Sequence, residues 1–154
     1  METTPTPRGH IGMFPKALEI RSKGLATQFE CEHSWAAISI SSHPDEWPEL
    51  SDNHRVGLLQ LAFMDVSNPT RVSEVISHGQ AEQILDFVDT LWDEVETFLI
   101  HCDAGRSRSP AVAAAIAYTR LGGGWDQYFF DNYTPNMLVY WSILKAHYGN
   151  GWWS

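Results

Sequence analysis

Cysteine, basic charge and long apolar runs are all scarce in this chain, and each shortage narrows what the protein does. Its two cysteines, Cys31 and Cys102, are too few for a disulfide framework. There is no CxxC, no HExxH and no paired-carboxylate pattern, so neither a metal ion nor another cofactor is expected. Lys and Arg total 10 against 19 Asp and Glu, a formal net charge of -9. Nucleic acids and anionic bilayers are gripped by an excess of Lys and Arg, so neither is expected as a partner. An anionic substrate would have to be drawn by a local site. No run of about 18 apolar residues occurs, and METTPTPRGH at the N-terminus has no apolar core. Neither membrane spanning nor secretion is supported, and a cytoplasmic location is expected. Repeats and low-complexity segments are absent as well.

What is present suits one compact domain: 154 residues, 44% of them hydrophobic. Residues 1–12 are expected as a flexible tail and 13–154 as the domain. WAAISIS, from Trp35 to Ser41, reads as a buried strand, followed by the Pro-rich acidic loop SHPDEWPELSDN. GLLQLAF, from Gly57 to Phe63, reads as a second strand running into MDVSNPT, where Asp, Asn and Pro stop regular structure. Between Gln80 and Trp92 the apolar residues Ala81, Ile84, Leu85, Val88, Leu91 and Trp92 share one helical face, with Asp86 and Asp89 on the polar side. TFLIHC is a further strand, ending at Cys102. Ser109-Pro110 reads as an N-cap with Pro at the first helical position, opening the apolar helix AVAAAIAYTRL, which Gly122 to Gly124 terminate. The aromatic connector WDQYFFDNYT leads to Pro135-Asn136 and a last helix to about His147. The terminal Gly-Trp-Trp reads either as core packing or as an exposed apolar patch. Strands alternating with helices predict an α/β domain with a central, mostly parallel sheet of about four or five strands flanked by helices. In such sheets sites form beyond the carboxyl ends of the strands, where MDVSNPT and CDAGRSRS would meet.

The chemistry concentrates in HCDAGRSRS, from His101 to Ser109. A loop of this length between a buried strand and a helix N-terminus curls so that successive backbone N–H groups, here of Asp103, Ala104, Gly105, Arg106, Ser107 and Arg108, converge on one point. That point is an anion site of phosphate size. Gly105 suits the tight curvature at the middle of the loop. Arg108 closes the ring with a planar fork that binds two oxyanion oxygens at once. The same field favours the thiolate form of Cys102. Taken singly, Cys102 reads as a small core residue and Arg108 as a solvated side chain; taken together at these offsets they point to nucleophilic catalysis.

HCDAGRSRS resembles the signature loop of the cysteine-based protein tyrosine phosphatase superfamily, HCxxGxxR followed by Ser or Thr. The small size is similar to its dual-specificity branch, as found in bacteria and their viruses. LQLAFMD resembles the strand and loop that carry the family's general-acid Asp, which implies that role for Asp65, with Asp45 and Asp52 as substitutes. A plain Asx-turn residue is the competing reading of Asp65. PNMLVYWSIL resembles the helix that supports the signature loop, with Asn136 matching the family's Asn. The resemblance covers roughly residues 35–147; the first three dozen add little to it.

The resemblance implies hydrolysis of phosphomonoesters through a cysteinyl-phosphate, the substrate being a phosphorylated protein or a small phosphomonoester. Ser109 would ease departure of the sulfur or simply cap the helix, and His101 would order the loop through hydrogen bonds. Cys31 reads as a core thiol more readily than as a disulfide partner of Cys102. Arg106 occupies a position commonly apolar or small in dual-specificity enzymes, while basic loop residues recur in branches acting on phosphoinositides. It would meet a second anionic group at the rim, or pair with Asp103 or with solvent. Competing readings are a rhodanese-like sulfurtransferase, an arsenate reductase, a phosphate-binding pseudophosphatase, and the same chemistry on an inositol phosphate or an RNA 5′-triphosphate.

Overall fold

A computed structural model describes residues 16–67 and 74–149. The tail expected over residues 1–12, the later part of MDVSNPT and the terminal Gly-Trp-Trp lie outside the described residues. Nine elements follow in order: β1 (Ala17–Arg21), α1 (Lys23–Ala26), β2 (Trp35–Ser41), β3 (Arg55–Ala62), α2 (His78–Leu91), β4 (Thr97–His101), α3 (Arg108–Leu121), α4 (Gln127–Asn132) and α5 (Met137–Tyr148).

The strands form one four-stranded sheet in the order β1-β4-β2-β3, and every pairing is parallel. β2 and β4 are buried at every position, as central strands covered on both faces must be, and their near-continuous apolar sequences follow from that. The two faces divide the core. Ala36, Ile38, Phe98 and Ile100 belong to the large cluster shared with α2, α3 and α5. Trp35, Ala37 and Leu99 face the other way, toward Ala26, Phe29 and Leu50. Register aligns Arg21 and Ser39 with His101, and Ser41 with Ala62, so the carboxyl ends of all four strands finish at one edge. That edge is where the site lies.

Four local readings need correction. α3 begins at Arg108 with Ser107 as N-cap, so Ser109 is a helical residue and not the cap. The first helical bond already runs from Ala111 N–H to the Ser107 carbonyl at 3.2 Å. Pro110 is tolerated in the first turn because the N–H it lacks would have no intrahelical partner there. α2 begins at His78, two residues before the expected start at Gln80, because Ser77 and Gln80 form a reciprocal capping box. The aromatic connector holds a helix of its own, α4. The first three dozen residues contribute β1 and α1; Glu19 breaks the apolar pattern of ALEIR, and one oxygen of its buried carboxylate accepts from Arg21 Nε at 2.7 Å while the other has no hydrogen-bond partner among the described residues. Among the described residues no helix is long and apolar enough to cross a membrane, and no group of three or more His, Cys, Asp or Glu is arranged to hold a metal ion.

Candidate active site

β4 delivers His101 and Cys102 into the crevice. Cys102 is 2% exposed. Its Sγ accepts the N–H of Gly105 at 3.3 Å and that of Ser109 at 3.4 Å, and lies 3.2 Å from Ser109 Oγ. Two backbone N–H dipoles and a hydroxyl thus close on one sulfur. Gly105 is required for two reasons. Its φ is +71°, and a Cβ there would fall 2.8 Å from both the Arg21 carbonyl carbon and the Ser22 nitrogen. The connection from β1 to α1 thus lies directly behind the loop, and Lys23 N–H donates to the Asp103 carbonyl at 3.1 Å.

His101 is fully buried, with Nε2 2.5 Å from Ser39 Oγ and Nδ1 3.4 Å from the Cys102 carbonyl. Burial pulls its proton affinity below the usual histidine value, outweighing the Cys102 carbonyl and the charge of Asp103, which act the other way. The ring is therefore neutral. A carbonyl only accepts, so Nδ1 carries the hydrogen and Nε2 accepts from the Ser39 hydroxyl.

Arg108, 4% exposed, turns back over the loop. Nη1 donates to Ser42 Oγ at 3.0 Å and to the Phe63 carbonyl at 2.8 Å, while Nη2 donates to Asp103 Oδ2 at 3.0 Å. Among the described residues its buried Nε–H has no hydrogen-bond partner. Such a donor is costly unless an acceptor comes to it. Burial would raise the Asp103 carboxyl, but hydrogen bonds from Arg108 and Ser42 prevail and hold it below the ordinary carboxylate range.

Asp65 follows β3 and is exposed. Its Oδ1 accepts from Ser107 Oγ and from Asn136 Nδ2, each at 2.8 Å. Asn136 joins three segments. Its Nδ2 also donates to the Val66 carbonyl at 3.1 Å, its backbone N–H to the Ser107 carbonyl at 3.0 Å, and its Oδ1 caps α5 by accepting from Leu138 and Val139. The other two carboxylates behave differently. Asp45 is exposed in the β2–β3 connection, with no hydrogen bond to the loop among the described residues. Asp52 stands just before β3, at the opposite end of the sheet.

Arg106 does not pair with Asp103, whose carboxylate is taken by Arg108 and Ser42. Its backbone is fixed instead, the carbonyl accepting Thr134 N–H at 3.1 Å and Thr134 Oγ1 at 3.2 Å. The exposed side chain forms no ion pair among the described residues, and it lines a groove of about 580 Å³ with Arg21, Ser22, Asp131 and Tyr133. Ala104 is exposed on the outer turn of the loop. Cys31 precedes β2 and packs against the smaller core cluster, at the far end of the sheet from Cys102. Ser39, Ser42 and the Phe63 carbonyl escaped the sequence reading. The one hint was that WAAISIS places Ser39 and Ser41 in an otherwise apolar strand, where a buried hydroxyl demands a partner.

No protein-family model and no curated protein matches the chain. Solved structures do. A human tyrosine phosphatase-like serine/threonine/tyrosine-interacting protein is similar with a TM-score of 0.60 at 16% identity, covering 85% of this chain and 91% of that one. Human DUSP28 is similar with a TM-score of 0.57 at 18% identity, covering 84% and 90%. PTPMT1, solved in complex with PI(5)P, is similar with a TM-score of 0.58 at 12% identity, covering 85% and 90%. The chain has the fold of the cysteine-based tyrosine and dual-specificity phosphatases.

Proposed function

We propose that this protein is a phosphatase that hydrolyses phosphomonoesters, phosphotyrosine and with it phosphoserine or phosphothreonine, through a cysteinyl-phosphate on Cys102. One observation supports this above the rest: the Cys102 sulfur receives backbone N–H groups while, within the same loop, Arg108 keeps a buried Nε–H without a partner among the described residues. Phosphoryl transfer uses a nucleophile together with an oxyanion donor.

In this reading the Cys102 thiolate attacks phosphorus in line, the S–P bond forms, and the bond to the leaving oxygen breaks. Other backbone N–H groups of the loop between Asp103 and Arg108 and the free edge of the Arg108 guanidinium hold the other phosphoryl oxygens. Asp65 gives a proton to the leaving oxygen. Ser107 and Asn136 both donate to its Oδ1, which leaves Oδ2 as the oxygen that carries this proton. Water then attacks phosphorus and gives its proton to Asp65, the S–P bond breaks, and the Ser109 hydroxyl stabilises the returning thiolate. Neutral His101 holds the Cys102 carbonyl, fixing where the loop departs from β4. No metal enters the scheme.

A second reading keeps the chemistry and changes the substrate to a phosphoinositide; the exposed Arg106 beside the groove, with no ion pair among the described residues, favours it, and PTPMT1 was solved with such a lipid. Turnover of a phosphotyrosine peptide against that of a short-chain phosphoinositide separates the two. The central claim is tested with an aryl phosphate in chelator. Wild type should release phosphate and be inhibited by vanadate, and Cys102→Ser should lose turnover while keeping the folded spectrum, because a hydroxyl is not ionised where a thiol is. Activity surviving in Cys102→Ser would remove Cys102 as nucleophile.

A further inference from the structure

A guanidinium carries five N–H donors, and three of those of Arg108 have acceptors among the described residues: both on Nη1, to Ser42 and Phe63, and one on Nη2, to Asp103. The two that remain, Nε–H and the second Nη2–H, lie side by side on one edge of the plane. That edge is the fork a tetrahedral oxyanion takes in two parallel bonds. Its direction depends on what grips the opposite edge, since an arginine side chain otherwise has many rotamers.

The grip is a closed ring. Ser42 Oγ accepts from Arg108 Nη1 at 3.0 Å and donates to Asp103 Oδ2 at 3.1 Å, and Asp103 Oδ2 accepts from Arg108 Nη2 at 3.0 Å. Ser42 comes from the end of β2 and Asp103 from the loop itself, so two segments far apart in sequence meet on one guanidinium.

The geometry points to Ser42 and Asp103 as positioning residues that aim the free edge of Arg108 at the phosphoryl group. The inference rests on the phosphatase reading above and assigns these two side chains a role in it. Two effects of the Asp103 carboxylate oppose each other. Its charge repels a phosphate dianion, but its side chain is 48% exposed, so water and salt screen that repulsion. Its bond to Arg108 involves a guanidinium only 5% exposed, where a charge-assisted bond keeps its strength. The aiming effect therefore prevails.

With an aryl phosphate, Asp103→Ala should lower kcat about tenfold or more while moving KM less than about threefold, the loss of an interaction made in the transition state. Asp103→Asn keeps an acceptor oxygen without the charge and should recover most of that loss. Ser42→Ala should also slow turnover, and the double variant Ser42→Ala/Asp103→Ala should be scarcely slower than the worse single one, because both act through Arg108. A direct readout needs no substrate: the Arg108 Nε–H resonance, observed by nitrogen-edited NMR at neutral pH, should persist in wild type and Asp103→Asn and broaden by exchange in Asp103→Ala. Asp103→Ala at or above wild-type kcat with an unchanged resonance would overturn the clamp and leave the phosphatase reading intact. A wild type without turnover or vanadate binding would remove that reading, and the clamp with it.

Discussion

At the scale of single residues, His101 shows how burial sets a charge state beside the loop. Its imidazole is neutral because desolvation outweighs the carbonyl and carboxylate that would favour the cation. Unfolded, the same ring takes up a proton near pH 6.5 or so. Above that pH both states are neutral and the contribution is complete. As pH falls below it, the unfolded chain binds a proton that the folded one refuses, so stability declines until the lowered folded value is passed. Urea unfolding midpoints followed from pH 7.5 to pH 5 should fall in wild type, and should fall less steeply in His101→Asn. Parallel curves for the two proteins would mean that His101 is not the group responsible.

At the scale of elements, the start of α5 holds the segment that carries Asp65. Asn136 closes the helix N-terminus with one oxygen and, with one nitrogen, holds both Asp65 and the Val66 carbonyl. Asn136→Ala should cost about 1–2 kcal/mol of stability from the lost cap. Its kinetic effect should resemble that of Asp65→Asn: a fall in kcat of about 10²-fold or more with alkyl or tyrosyl phosphates, and much less with a nitrophenyl ester whose leaving oxygen needs no proton. A loss in Asn136→Ala that is uniform across leaving groups would show that it disturbs the phosphate loop and not the acid. The same element logic explains why Ser107 and not Ser109 precedes α3. The Ser107 hydroxyl is turned to Asp65 and leaves the helix uncapped, while Ser109 turns inward to the sulfur.

At the scale of the whole molecule, the parallel sheet separates the two thiols. Trp35 pairs with Thr97 at one end of β2 and Ser39 with His101 toward the other, four residues away. At about 3.3 Å per residue this puts more than about 13 Å between the ends that carry Cys31 and Cys102, whereas a disulfide needs Cα atoms within about 7 Å. Ser34 also accepts Glu96 N–H at 3.2 Å, which ties the segment after Cys31 to the start of β4 and away from its end. Peroxide treatment followed by peptide mapping without reductant should show Cys102 oxidised or mixed with added thiol, and no Cys31–Cys102 cross-linked peptide. Recovery of that peptide from monomeric protein would contradict the strand order.

What was determined by the sequence on its own is local. The spacing of Cys102, Gly105 and Arg108 specifies a tight loop because curvature, a positive φ and the reach of one guanidinium all act within seven residues. The apolar runs of β2, β4 and α3 announce burial for the same kind of reason, since periodicity is a property of neighbours. β1 stayed hidden because its buried Glu19 is neutralised two residues on by Arg21, and a charged pair in a strand looks like surface until the partner is seen. Tertiary structure alone decided who meets whom at the crevice. Ser39 reaches His101 across 62 positions, Arg108 reaches Ser42 across 66 and Asn136 reaches Asp65 across 71. No periodicity spans such separations. These pairs exist because β4 lies between β1 and β2 with all strands parallel, which brings their carboxyl ends, and the polar groups just beyond them, to one edge.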